Sequence, residues 1–305
     1  MARYYSKRLG IVLITLFLLS IVVFVLPRVA GDPVYLLLPS DASEEDRQEL
    51  REELGLTKSL PEQYWIFLKG AVQGDFGESV YIRQPVTELI ADRFPATLKL
   101  AAATFVFALP LGILLGILAA IRKNRWPDLL ARSVAVAGQS LPNFWIGIML
   151  ILLFSVTWEL LPTSGIGGPD HYVLPVITLG WVGLAGVTRL TRSSMLEVLG
   201  SDYITFLRAS GIPEKSVVLK HALRNAAIPV VTMAAIMFGY LLTGSIVVES
   251  VFAWPGMGRL AYESVARADF PLIQGIVLFY GVIFISLNLL ADLFYSWIDP
   301  RIRYQ

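Results

Sequence analysis

Polar side chains are scarce in the apolar runs of this 305-residue chain, and the ones that could handle a polar solute fall into two groups. Gln139, Ser140 and Asn143 surround Pro142, while Tyr240, Thr243 and Ser245 share a run with Gly239 and Gly244. Such groups are costly in hydrocarbon, so they face a bundle interior, a water-filled path or a neighbouring helix. Their hydroxyls and amides can exchange hydrogen bonds with a solute but cannot cleave one. Two readings stay open for both groups: lining of a translocation path, and helix-to-helix contact. The chain has no GxxxxGK[ST] phosphate loop, no HExxH, no GxSxG and no plausible Ser/His/Asp set. It also lacks cysteine and has two histidines, so no catalytic residue and no metal site is expected. His171 adjoins a turn and reads as a surface residue, and His221 reads as a packing or hydrogen-bonding residue.

A different element lies at 202–229, DYITFLRASGIPEKSVVLKHALRNAAIP, an amphipathic and basic insert between two very apolar segments. Gly200 can close the incoming helix, and Ser201 or Asp202 can cap a short helix that runs to Arg208. Ala209, Ser210 and Gly211 then form a tight turn, cheapest at glycine where φ is positive. Pro213 suits the first turn of the next helix, with Glu214 at its positive end and Lys220, His221 and Arg224 toward its negative end. On that helix Val218, Leu219, Ala222, Leu223 and Ala226 gather on one face and Lys220 and Arg224 on the other. Pro229 is expected to end or kink it. The product is helix, glycine turn, helix, with a solvent-facing basic side.

Membrane spans must hold these groups in place. Hydrophobic residues make up 55% of the chain and charged residues 16%, and mean hydropathy is +0.64, outside soluble usage. Six apolar runs approach bilayer length, at 9–27, 100–121, 133–158, 172–188, 225–248 and 270–291. The first follows Arg3, Lys7 and Arg8 but is too long for a signal-peptide core, so a retained helix is expected. The run at 172 can continue as helix past Arg189, and Pro110 and Pro142 lie inside runs where neighbouring helices can satisfy the freed carbonyls. Asn288 and Asp292, near the end of the last run, read as bonding to a neighbouring helix or facing water.

Segment 28–99 is polar and acidic, with Asp41, Glu44, Glu45, Asp46, Glu49, Glu52 and Glu53 clustered. Leu50, Leu54 and Leu56 give it the partial apolar face of a short surface helix. Lys and Arg concentrate at the N-terminus, 122–132, 189–224 and Arg301/Arg303, whereas 159–171 has none and 249–269 only Arg259 and Arg267. The positive-inside rule then puts both termini and the Gly211 turn in the cytosol and the acidic segment outside.

The insert resembles the EAA loop of bacterial ABC importer permeases through Gly211, Ile228 and Pro229. Asp202, Tyr203, Arg208, Ala209, Gly211, His221, Arg224, Asn225 and Pro229 match the form found in dipeptide, oligopeptide and nickel permeases. Phe206 and Leu207 replace small residues of that pattern, and Ser210 replaces a lysine. Further landmarks of the same family are resembled by Gly31-Asp32-Pro33, by Gly74-Asp75-Phe76-Gly77-Glu78-Ser79 and by ESVFAWPGMGRL with Glu249, Phe252, Pro255, Gly256 and Gly258. The ending Asp299-Pro300-Arg301-Ile302-Arg303 extends the resemblance over 31–304.

The resemblance implies an all-α integral membrane protein with six transmembrane helices in the type I, MetI-like fold of ABC importer permeases. It divides the chain into a cytoplasmic tail and first span at 1–30, an extracytoplasmic part at 31–96, and a five-helix core at 97–305 with a coupling loop at 200–229. It implies half of the translocation pathway of an ATP-driven importer of di- or oligopeptides, with nickel chelates or glutathione as alternative cargo, in the bacterial cytoplasmic (inner) membrane. A second homologous permease, two ATP-binding cassette subunits, an extracytoplasmic solute-binding protein and membrane lipids are the implied partners, and nucleic acid is not one. ATP and Mg belong on the partner ATPases, with no cofactor on this chain. Asp202, Tyr203, Thr205, Phe206, Arg208, Ala209, Ser210, Gly211 and Ile212 are implied to couple to the ATPases. Gln139, Ser140, Asn143, Tyr240, Thr243 and Ser245 are the pathway candidates, and Glu44, Glu45, Asp46, Trp254 and Met257 the contacts for the binding protein.

Two rivals come from other classes. A secondary transporter should show intramembrane carboxylates or broken helices, and only Glu159, Glu249 and Asp292 approach, all near the ends of runs. A membrane-anchored receptor sensing ligand through 28–99 would need an effector domain, which the sequence does not show.

Overall fold

The computed structural model describes residues 2–30, 34, 38, 42–53 and 55–298. The turn expected at Gly31-Asp32-Pro33, Asp41 and Leu54 of the acidic segment, and the ending at 299–304 lie outside the described residues, as do the side chains of Glu53, Asn288 and Asp292. In chain order the helices are α1 (Ala2–Ala30), α2 (Glu44–Glu53), α3 (Leu60–Gln73), α4 (Val86–Ile121), α5 (Trp126–Ser140) and α6 (Asn143–Leu150). A π-helical turn over Ile151–Thr157 draws out α6. They continue with α7 (Asp170–Leu199), α8 (Asp202–Ala209), α9 (Glu214–Leu242), α10 (Ile246–Val251), α11 (Met257–Ala266) and α12 (Phe270–Ile298).

Helices α4, α7, α9 and Phe270–Leu287 of α12 are each long and apolar enough to cross a bilayer, and α1 contributes the shorter apolar stretch Gly10–Leu26. The run at 172 does continue as helix past Arg189, as far as Leu199. The third expected run departs from a simple span, because α5 and the α6 segment meet at 108°. Pro142 causes this break. A proline disfavours helical dihedrals in the residue before it, and Leu141 (φ −95, ψ 128) and Pro142 (φ −65, ψ 137) are both extended. Absorption of a proline inside a continuous helix holds instead at Pro110, Pro175 and Pro229, so the helix expected to end or kink at Pro229 runs on to Leu242. The fifth run stops there as well: Gly244 takes φ 74 and α10 starts separately.

The chain forms two compact units, Met1–Pro95 with Leu260–Gln305, and Ala96–Arg259. In the first, α1 packs on α12 and α3, with Phe24 edge-on to Tyr64 (5.2 Å) and the Ser20 and Tyr64 hydroxyls 2.8 Å apart. The Gly-Asp-x-Gly-x-Ser motif is a folded turn in which Gly74 and Gly77 take φ 78 and 80 and the Asp75 carboxylate accepts the Gly77 amide at 2.9 Å. Its serine ends on a buried acid. Asp269 accepts the Ser79 hydroxyl and the amides of Val80 and Tyr81, and caps α12 through the Leu272 amide.

In the second unit α7 is central, packed by α5, α6 and α9. A Cβ on Gly112, Gly116 or Gly138 would collide with Val187, Thr191 or Ala185 of α7, the close approach that small residues allow between membrane helices. Asp128, fully buried near the start of α5, accepts the Asn124 amide at 2.9 Å and a two-pronged pair from Arg192, Nε at 2.5 Å and Nη2 at 3.0 Å. That fork ties α5 to α7 by a directional bond as well as by packing.

Candidate functional site

Helix α8 is short, and its side chains divide sharply. Ile204 and Leu207 are buried against Ile117, Met195, Val217 and Ala222, whereas Tyr203 and Phe206 are 46% and 69% exposed. Asp202, Thr205, Arg208, Ala209 and Ser210 are exposed too. Ser201 stands at the cap position, but its hydroxyl donates back to the Val198 carbonyl at 2.7 Å and does not accept from α8. Behind the helix Gly211 adopts φ 76, its amide bonded to Arg208 O at 3.0 Å, while the Ile212 amide reaches Leu207 O at 3.3 Å. A Cβ at Gly211 would touch nothing within 4 Å, so the demand for glycine there is conformational.

Two polar contacts fix the turn. Arg208 forms a two-pronged pair with Glu214 (3.1 and 2.7 Å), so its guanidinium is engaged within its own loop. Tyr203 Oη lies 3.0 Å from His221 Nδ1. His221 sits in a π-helical turn over Val217–Ala222, which changes the buried face. Val217, Val218, Ala222 and Ala226 are buried and Leu219 is about half exposed. A wider turn brings residues i and i+5 into line, so Val217 takes the place expected of Leu219.

At the other end of α9 lies the turn of ESVFAWPGMGR. Glu249 is 1% exposed and accepts the amides of Gly258 (2.7 Å) and Arg259 (3.1 Å) and the Thr97 hydroxyl (3.0 Å). Burial raises its carboxyl pKa, and these bonds, with one from the Ser245 amide, oppose the rise. A Cβ at Gly256 would run into Glu249 and Thr97, and one at Gly258 into the backbone of Ile246, so both glycines are needed for close approach. Trp254 donates its indole N–H to Ala96 O at 3.0 Å and stacks edge-on to Tyr172 (4.7 Å). Trp254 and Met257, named as contacts for the binding protein, are fully buried within the turn.

Gln139 and Ser140 are exposed at the end of α5, with Gln139 Oε1 accepting Arg189 Nη1 at 3.1 Å and Ser140 donating to Val136 O at 3.0 Å. Asn143, just past the break, has its side-chain oxygen buried without a hydrogen-bond partner. Tyr240 is 67% exposed, while Thr243 donates to Tyr240 O (2.7 Å) and Ser245 caps α10 by accepting the Val248 amide (3.2 Å). α6 and α10 pack together, so the segment after Asn143 meets the segment after Ser245. Glu44, Glu45 and Asp46 are exposed on the first turn of α2, and Asp46 completes a reciprocal cap with Ser43. Asp128, Arg192 and Asp269 organise the fold without belonging to any motif of the sequence. Asp269, followed by Phe270-Pro271, carries a readable helix-cap signal; Asp128 and Arg192, which pair with each other, lie 64 positions apart.

Residues 112–304 match the family described as binding-protein-dependent transport system inner membrane component, and residues 1–101 match its N-terminal counterpart. The chain is 46% identical to the glutathione transport system permease protein GsiC of Escherichia coli (strain K12), with 100% of both chains covered. The same values hold for GsiC of Shigella dysenteriae serotype 1 (strain Sd197). Two inward-facing structures of the MetNI methionine ABC transporter share the fold, at TM-scores of 0.51 and 0.53 and 19% and 18% identity. They cover 67% and 69% of this chain and 95% and 96% of their own. A multi-pass helical chain with the glycine-turn loop and full-length permease relatives thus belongs to the binding-protein-dependent transport system inner membrane components, as a permease subunit of an ABC importer.

Proposed function

We propose that this permease carries small peptides of the glutathione class inward and that α8 with Gly211 is the element through which partner ATPases drive it. The observation that carries this reading is the division of α8: two side chains root it in the α4/α7/α9 core while Tyr203 and Phe206 are left for a partner. A body held this way can be pushed as one piece. Closure of two ATPases bearing ATP and Mg would shift α8, and the spans would swing a central path between outward and inward access. The coupling set is Asp202, Tyr203, Thr205, Phe206, Arg208, Ala209, Ser210, Gly211 and Ile212, with Arg208 stiffening the turn through Glu214.

The glutathione reading comes from the GsiC relatives, whose name states that cargo. In this reading both termini and Gly211 face the cytosol, α2 and the Glu249 turn face outside toward a solute-binding protein, and a second permease completes the path through the Gln139, Ser140, Asn143 and Tyr240, Thr243, Ser245 groups. The chain is naturally free of cysteine, so Glu45→Cys and Ser210→Cys report the topology cleanly. Impermeant reagent should label Glu45→Cys from outside and Ser210→Cys only from the cytosolic side, and the reconstituted complex should take up glutathione with ATP and binding protein. Reversed labelling, or no uptake of glutathione or any small peptide, contradicts the reading.

A further inference from the structure

A cavity of about 300 Å³ opens between α5 and α7, lined among others by Arg132, Gln139, Thr188, Arg189 and Arg192. Its charge is unbalanced. Asp128 supplies one carboxylate, already held by the Arg192 fork and 3.5 Å from Arg132, while Arg189 reaches the neutral Gln139. Three guanidiniums set against one carboxylate leave two positive charges, and a guanidinium cannot shed its charge by losing a proton.

We infer that this cavity is an oxyanion site that takes the carboxylate end of the cargo. Resting on the peptide-import reading above, it is a subsite toward the cytosolic end of the path. A guanidinium fork meets a planar carboxylate in two parallel bonds, Asp128 fixes the orientation of Arg192, and Gln139 steadies Arg189. Arg132 and Arg189 supply the charge that Asp128 does not cancel. The site favours peptides with a free carboxylate over their amides. A lipid phosphate shares the oxyanion chemistry, and the test separates the two sources.

The test uses the assembled complex, with cysteine-free partners, in phosphatidylcholine nanodiscs. Val136, which lines the cavity and is exposed, is changed to Val136→Cys and the rate of its modification by a neutral maleimide is followed. S-methylglutathione should slow the reaction at least fivefold, its diamide should not, and the protection should vanish on adding Arg189→Gln. Equal protection by acid and diamide, no protection by either, or an unreactive thiol in the unliganded complex would overturn the site. Slowing by added phosphatidylglycerol with none by the peptide would overturn the cargo assignment in favour of a lipid. Uptake of S-methylglutathione by the parent complex is scored separately. Protection without uptake supports the oxyanion site and rejects the import reading, and uptake without protection rejects the site alone.

Discussion

The two loops at the ends of α9 are held by opposite means. Before α9, the buried face of α8 is rooted by apolar contact, Ile204 and Leu207 against a cluster of aliphatic side chains, and its polar pairs, Tyr203 with His221 and Arg208 with Glu214, lie at the exposed surface. After α9, the turn at 245–259 is rooted by a buried carboxylate that collects two amides and a hydroxyl, closed over by glycines that leave it no slack. Apolar contacts are non-directional, so a helix held by them can tilt and keep most of its stabilisation. Hydrogen bonds to a buried carboxyl are lost steeply with distance and angle. These contacts leave the first loop free to tilt, as the proposed coupling requires, and hold the second in shape.

Removing the root of the rigid loop should cost most. Glu249→Ala leaves the amides of Gly258 and Arg259 and the Thr97 hydroxyl without an acceptor, at about 1–3 kcal/mol for each donor left buried, so about 3–5 kcal/mol in all. Thermal unfolding of the purified subunit should show a large drop in Tm, and a change worth under about 1 kcal/mol would mean that the carboxylate is not the anchor. Ile204→Ala should cost less, about 2–4 kcal/mol, because it empties one fully buried site in a short helix. Its signature should be local: hydrogen exchange at 202–212 accelerates while α7 stays protected. Uniform loss of protection across the second unit would erase the contrast between the loops.

The smallest effect concerns α2. Ser43, through its hydroxyl and amide, holds the Asp46 carboxyl below the usual range. A lowered folded value means that the cap's contribution is present at neutral pH and lost as pH falls through that value. Amide exchange at the start of α2 should therefore rise only in acid, below the ordinary aspartate range, and Ser43→Ala should remove the dependence. A rise already present near neutrality would rule the cap out.

What the sequence allows one to read follows the range of the interactions. Helix α8, its turn and the positive φ at Gly211 rest on neighbours within ten positions, and all are legible from Asp202 to Ile212. The π-helical turn at Val217–Ala222 was not, because a 3.6-residue pattern assumes the pitch that this segment abandons. Pro142 and Pro229 show the limit from another side. Both interrupt apolar runs, yet only Pro142 breaks the helix. The resemblance marked Glu249 and Ser79 as parts of motifs without giving a reason. The reason is Thr97 for one and Asp269 for the other, 152 and 190 positions away.

The central claim is that Gly211 sets the turn through which ATP hydrolysis is coupled to transport, and substitution there isolates it, since φ is 76 and no atom lies near the missing Cβ. Valine in that conformation is strained, on the order of 1–3 kcal/mol, while asparagine tolerates it. ATP hydrolysis by the reconstituted complex, measured with and without substrate-loaded binding protein, should lose its stimulation in Gly211→Val and keep most of it in Gly211→Asn, with both variants inserted and assembled normally. Full stimulation and uptake in Gly211→Val would contradict the account.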